Sequence, residues 1–159
     1  MPMDKTGLLF VAMVLILPHC TGTGSKDLGI MDGQLTLCPH APNCVSSQSQ
    51  DESHYVDPLA YEAALGEATE GLLSVLRAMK RIRIVHVDGG YIRAECRSAL
   101  FGFIDDLEFY FDDGHKTIHV RSASRVGYYD FGVNRRRVER IRTRFGEHMW
   151  SHHEKSHAK

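Results

Sequence analysis

Ile82-Arg83-Ile84-Val85-His86-Val87-Asp88-Gly89-Gly90-Tyr91-Ile92-Arg93-Ala94-Glu95-Cys96-Arg97 decides the fold. Two β-rich runs, Ile82–Val87 and Tyr91–Arg97, flank Asp-Gly-Gly, a pattern that closes a tight hairpin because two successive residues must take positive φ. In the second run Ile92, Ala94 and Cys96 alternate with Tyr91, Arg93, Glu95 and Arg97, so one face is apolar and the other charged. The pattern repeats downstream. Asp105–Phe111 and Lys116–Ser124 flank Asp112-Asp113-Gly114-His115, with Leu107, Phe109, Phe111, Ile118 and Val120 on the apolar side. Four antiparallel strands with one apolar face require a covering layer.

Helices on either side supply that layer. Asp57-Pro58 reads as an N-cap followed by proline at the first helical position. Leu65, Ala68, Leu72, Val75, Leu76 and Met79 then recur at helical spacing. Asn134 reads as the cap of a last helix with the stripe Val138, Ile141, Phe145 and Met149. The expected fold is therefore α+β: a sheet of about four antiparallel strands, two helices on one face, and chain order α-β-β-β-β-α. Tyr128, Tyr129 and Phe131 read as anchors holding the intervening loop on the core.

The expected organisation has four parts. Residues 1–20 read as an export signal, with Lys5 before the apolar run Gly7–Leu17, which is too short to span a bilayer comfortably. Leu17-Pro18-His19-Cys20 resembles a lipoprotein cleavage box, with Cys20 the residue that would carry the lipid; His19 departs from the small residue preferred there. Residues 21–36 read as a flexible linker, 37–148 as a single domain, and 149–159 as a polar His-rich tail. In an oxidising compartment Cys38 and Cys44, six apart around two prolines, can close a small disulfide loop. Two reduced thiols, or a zinc site including His40, are the alternatives. Cys96 sits on the apolar face and reads as a buried free thiol.

A net charge of −1 gives no global attraction to nucleic acid. The local distribution is uneven. Residues 105–113 carry five carboxylates and no base; residues 121–142 carry seven arginines against Asp130 and Glu139. Arg135-Arg136-Arg137 begin the last helix, at the pole that disfavours cations. Either the acidic third strand and Asp130 compensate them, or an external anion does. The first is the simpler reading, and the two are compatible. Asp105 and Asp106 point to opposite faces, which argues against a carboxylate pair. Ser98, Ser122 and Ser124 lack a nucleophile-elbow context. His119 on the charged face is a candidate base, although a solvated strand histidine is the simpler reading. His148, His152, His153 and His157 read as a solvated tail. No cofactor-binding motif is present in the sequence, and no metal site is expected.

Three segments carry a resemblance: Cys38-Pro39-x-x-Pro42-Asn43-Cys44-Val45-Ser46-Ser47, Arg97-Ser98-x-Leu100-Phe101-Gly102-Phe103-x-Asp105-Asp106-x-Glu108-Phe109, and Arg121 through Arg137. Together they resemble the bacterial and plant domain-of-unknown-function family fourteen-ninety-nine. The resemblance implies a small exported or membrane-associated domain, often lipoprotein-like, and implies neither a reaction nor a catalytic residue. The expected functional surface is one polar site at the sheet edge, from Arg97, Asp106, Arg121, Ser122, Ser124, Arg125, Asp130, Asn134 and Arg135. Its expected partner is an anionic small molecule, a lipid head group or an envelope protein, in the periplasm or cell envelope. A hydrolase or transferase for phosphorylated or acylated envelope substrates, and a structural module with an internal ion-pair network, are the alternatives.

Overall fold

Gly89 and Gly90 both adopt positive φ, 50° and 88°, and close the hairpin between β5 (Ile82–Asp88) and β6 (Tyr91–Arg97). The computed structural model describes residues 28–98 and 101–157. The leader, Cys20 and the first part of the linker lie outside the described residues. β7 (Ile104–Asp112) pairs with β6 and with β8 (Thr117–Ser124), all antiparallel. The four-stranded meander expected from the alternation is therefore present, and the sheet is larger. β3 (Cys44–Ser46) and β4 (Leu59–Ala60) both pair along the outer edge of β8, making six antiparallel strands in all.

β4 corrects the expected start of the first helix. Asp57-Pro58 leads into this short edge strand, where proline at the strand entrance is tolerated. Leu59 pairs with Ile118, and the Tyr61 amide continues the ladder to the Lys116 carbonyl. Helix α1 begins only at Leu65 and runs to Ala78, burying Ala68, Leu72, Leu73, Val75 and Leu76. The chain order is thus four short strands, α1, four long strands, α2. Helix α2 spans Val133–His157, continuing through the stretch read as a tail.

Both helices cover the apolar face. Ile92, Ala94, Leu107, Phe109, Ile118 and Val120 meet Leu72 and Leu76 of α1 and Val138, Ile141 and Phe145 of α2. Phe109 and Ile141 are completely buried, each contributing about 1.5–3 kcal/mol by removal from water. Cys96 is free and only partly buried.

The charged face is also covered in part, by residues expected to be linker. β1 (Ile30–Met31) and β2 (Gln34–Leu35) form a separate two-stranded hairpin. It sits against β7 and β8. Leu35 is buried there, its amide bonded to the Gln48 side chain, and the Gly29 amide donates to Glu108 Oε1 at 2.9 Å.

Candidate functional site

Strand alternation sorts the polar residues into two networks, one on each face of the sheet. On the face away from the helices, Arg121 and Glu108 are cross-strand partners. Their side chains meet at 3.0 Å, the Arg almost buried and the Glu fully so. Glu108 also accepts from the Tyr91 hydroxyl at 2.7 Å and from Gly29. Burial, reinforced by that carboxylate, pushes the Tyr91 hydroxyl pKa far above its usual value. The Arg121 Nε–H is buried and has no hydrogen-bond partner among the described residues.

One register step toward the end of the sheet, Arg125 forks onto both oxygens of Asp106, at 2.9 and 2.7 Å, and reaches Glu95 at 2.7 Å. Arg83 takes the other oxygen of Glu95 at 2.7 Å. The hydrogen bonds from Arg125 and Arg83 hold the Glu95 carboxyl below the usual carboxylate range. Asp106 in turn raises the Arg125 guanidinium pKa, keeping it charged.

Beneath α2 the second network joins three distant segments. Arg137 reaches Asp105 at 2.5 Å and Ser122 Oγ at 2.9 Å. Ser122 donates to Asn134 Oδ1 at 2.6 Å, and Asn134 Nδ2 donates to the Asn43 carbonyl and to Ser124 Oγ. Asn43 lies beside the Cys38–Cys44 disulfide, so the oxidised loop is locked to the sheet and to the start of α2. Asn134 is therefore a buried network member and does not cap α2, correcting the expectation. The cap is Asp130, whose carboxylate accepts from the amides of Gly132 and Asn134 at 2.8 Å each. That carboxylate also offsets the arginines at the helix start.

The structure thus distributes the expected site residues over several places. Asp106, Arg121 and Arg125 share the charged face. Ser122, Ser124 and Asn134 lie on the helix side. Asp130 closes the loop before α2, and Arg135 donates to the carbonyls of Ser53 and Tyr55. Arg97 is exposed and makes no ion pair among the described residues. It borders a depression of about 220 Å³ lined by Arg81, Ile82, Arg83, Glu95, Arg97 and Ile104. Tyr128, Tyr129 and Phe131, expected to anchor the loop, point into solvent instead. The loop is held by Asn43, whose side chain donates to the Gly127 carbonyl, and by Asp130.

Two arrangements escaped the sequence reading. Arg137 was legible in principle, because it lies three residues after Asn134 on the same helix face. The second is a Ser47–His119 contact, Oγ to Nδ1 at 3.3 Å. Burial lowers the His119 pKa, favouring a neutral imidazole. Ser47 is nearly buried, and its oxygen accepts from the Val120 amide at 2.9 Å while its own amide donates to the Val120 carbonyl. That pattern extends the β3–β8 ladder and explains Ser47 without nucleophilic chemistry. His148 and His152 lie tilted to each other with ring centroids 4.5 Å apart, and among the described residues no group of three or more ligands is placed to hold a metal.

A six-stranded antiparallel sheet, helices on one face and arginine–carboxylate networks on both define a small α+β domain whose polar motifs tie separate segments together. The chain belongs to the family described as protein of unknown function (DUF1499), whose model matches residues 34–145. No curated protein matches the sequence.

Proposed function

We propose that the protein is a non-enzymatic module of the cell envelope that binds an anionic group through Arg97 and its neighbour Arg81. The observation that carries this reading is the contrast among the arginines. Arg121, Arg125 and Arg137 are committed to Glu108, Asp106 with Glu95, and Asp105. Arg97 and Arg81 are exposed, have no ion pair among the described residues, and border one depression. Guanidinium forks suit phosphate and carboxylate groups. The disulfide supports an oxidising compartment, and the apolar run Gly7–Leu17 supports export.

A structural role has its own support, because the paired arginines leave most of the sequence motif as scaffold. The two readings concern different residues. Titrating the full chain with inorganic phosphate while following the arginine Nε–H NMR signals separates them. The expected result is saturable shifts at Arg97 and Arg81, with the Arg81 shift weakened in Arg97→Gln at an unchanged melting temperature. Absence of any phosphate-dependent shift would sink the anion reading and leave the structural one.

A further inference from the structure

We infer that the end of the sheet bearing Arg81 and Arg97 docks on an anionic lipid bilayer, with aromatic side chains of two adjacent loops entering the headgroup region. The inference rests on the anion-binding reading above and names its ligand class. β6 ends at Arg97, β7 begins opposite it at Ile104, and β8 ends at Ser124 opposite Asp105. The β6–β7 loop and the β8–α2 loop therefore leave the same end of the sheet, and the Arg125 amide bonds the Ile104 carbonyl between them. The first loop presents Phe101 and Phe103, stacked at 5.5 Å; the second presents Tyr128 and the edge-to-face pair Tyr129 and Phe131 at 5.1 Å.

Five exposed rings at one end need an explanation. Phe101, Tyr128 and Phe131 are 71%, 72% and 77% exposed. Phe131 also holds φ at 55°, in the left-handed region unfavourable for a bulky residue. Arg136 fixes that turn by donating to the Phe131 carbonyl at 2.9 Å. Beyond its edge contact with Tyr129 the Phe131 ring stays open to solvent. Aromatic rings flanked by arginine suit an interface, where the ring enters the acyl boundary and the guanidinium meets phosphate. Arg81, Arg97 and Arg136 make no ion pair among the described residues, whereas Glu95, Asp105 and Asp106 at this end are neutralised by arginines. Asp130, bonded to the Gly132 and Asn134 amides, is the other carboxylate of these loops; set against the three arginines it leaves a positive excess, which complements anionic headgroups and favours a bilayer over a protein groove. The tether length agrees: eight residues from Cys20 to Leu28 reach at most about 28 Å, so a chain held in the membrane at its leader keeps the domain at the surface.

The test places the only indole in the loop. Full-length protein carrying Trp150→Phe and Phe131→Trp is mixed with phosphatidylcholine vesicles containing about one-third phosphatidylglycerol, with acyl chains brominated or not. The expected result is blue-shifted emission quenched by the brominated lipid, an effect that membrane binding through the leader alone does not produce at residue 131. Arg81→Gln with Arg97→Gln should weaken the anionic-vesicle effect about thirty-fold, from two lost surface charges. Phe103→Ala should weaken it about ten-fold or more, with an unchanged melting temperature for each variant. An indole that neither shifts nor quenches on anionic vesicles overturns the inference and points the rings toward a protein partner. Equal quenching on pure phosphatidylcholine also overturns it, because the lipid charge then plays no part. A phosphate-dependent shift at Arg97 without vesicle insertion sinks the lipid assignment alone. Insertion indifferent to the arginine pair, with no phosphate shift, sinks the anion reading.

Discussion

Glu108 and Arg121 show how strongly one buried pair can constrain a small sheet. Removing one partner leaves the other charge buried, so Arg121→Ala should cost about 3–5 kcal/mol in urea unfolding. Arg121→Lys should cost less, because it keeps a cation near Glu108 and deletes the buried Nε–H that has no partner among the described residues. Equal losses for the two variants would deny the charge its role. Glu95 and His119 are two of the groups that shape the acid response. Glu95 has a depressed pKa in the fold, so its contribution is fully present above its ordinary 4.5 and is lost as pH falls through the folded value. His119 is also depressed: its unfolded form takes a proton first below 6.5, so stability declines as pH drops from there toward the folded pKa. His119→Gln should flatten the stability curve just below pH 6.5 and leave the Glu95-dependent loss below 4.5 in place. A curve unchanged by His119→Gln would count against this assignment. At this scale the sequence was partly legible. Alternation placed Arg121, Asp106 and Glu108 on one face correctly. It could not show that Asn43, Asp105 and Asn134 meet, because chain separation hides long-range hydrogen bonds from any local pattern.

Long elements announced themselves and short ones did not. β5 through β8 and the apolar stripe of α1 follow from periodicity, since seven or more residues give alternation room to register. β3 and β4, of three and two residues, carry no readable period and exist only through β8. The same cause moved the start of α1: Asp57-Pro58 is sound local helix chemistry, and the ladder offered by β8 overrode it. Asp130 gives a direct test at the start of α2. Asp130→Ala should cost about 0.5–2 kcal/mol through the lost cap, whereas Asn134→Asp, which keeps a capping-competent side chain, should be the more damaging change because it removes the donor to Asn43. Thermal unfolding that ranks them the other way would restore Asn134 as the cap. Helix packing has its own probe at Gly71 of α1, where an added Cβ would lie 2.8 Å from Met149 Sδ of α2. Gly71→Val should cost about 1–3 kcal/mol by overpacking, and replacing Met149 with Ala in the same chain should recover part of it.

Taken whole, the molecule is a sheet fastened from both faces, with the Cys38–Cys44 loop as its covalent fastening. A loop closed over a separation of six residues should contribute about 2 kcal/mol through the unfolded state. Replacing both cysteines with alanine should lower the denaturation midpoint accordingly and loosen Asn43, detectable as faster amide exchange at Ser124, which bonds its carbonyl. Exchange at Ser124 that stays unchanged would separate the disulfide from the network under α2. The β1–β2 hairpin fastens the other face, and it is the first of the described strands. Its two ladder pairs and the Gly29–Glu108 bond stand between the upstream chain and the sheet. Any mechanical load applied through residues before Leu28 reaches those few bonds first. They lie in series with the upstream chain, while the long ladders of β6, β7 and β8 share load in parallel. The hairpin therefore acts as the weakest link in tension: a pull would peel it away and wet Glu108 long before the sheet itself yielded.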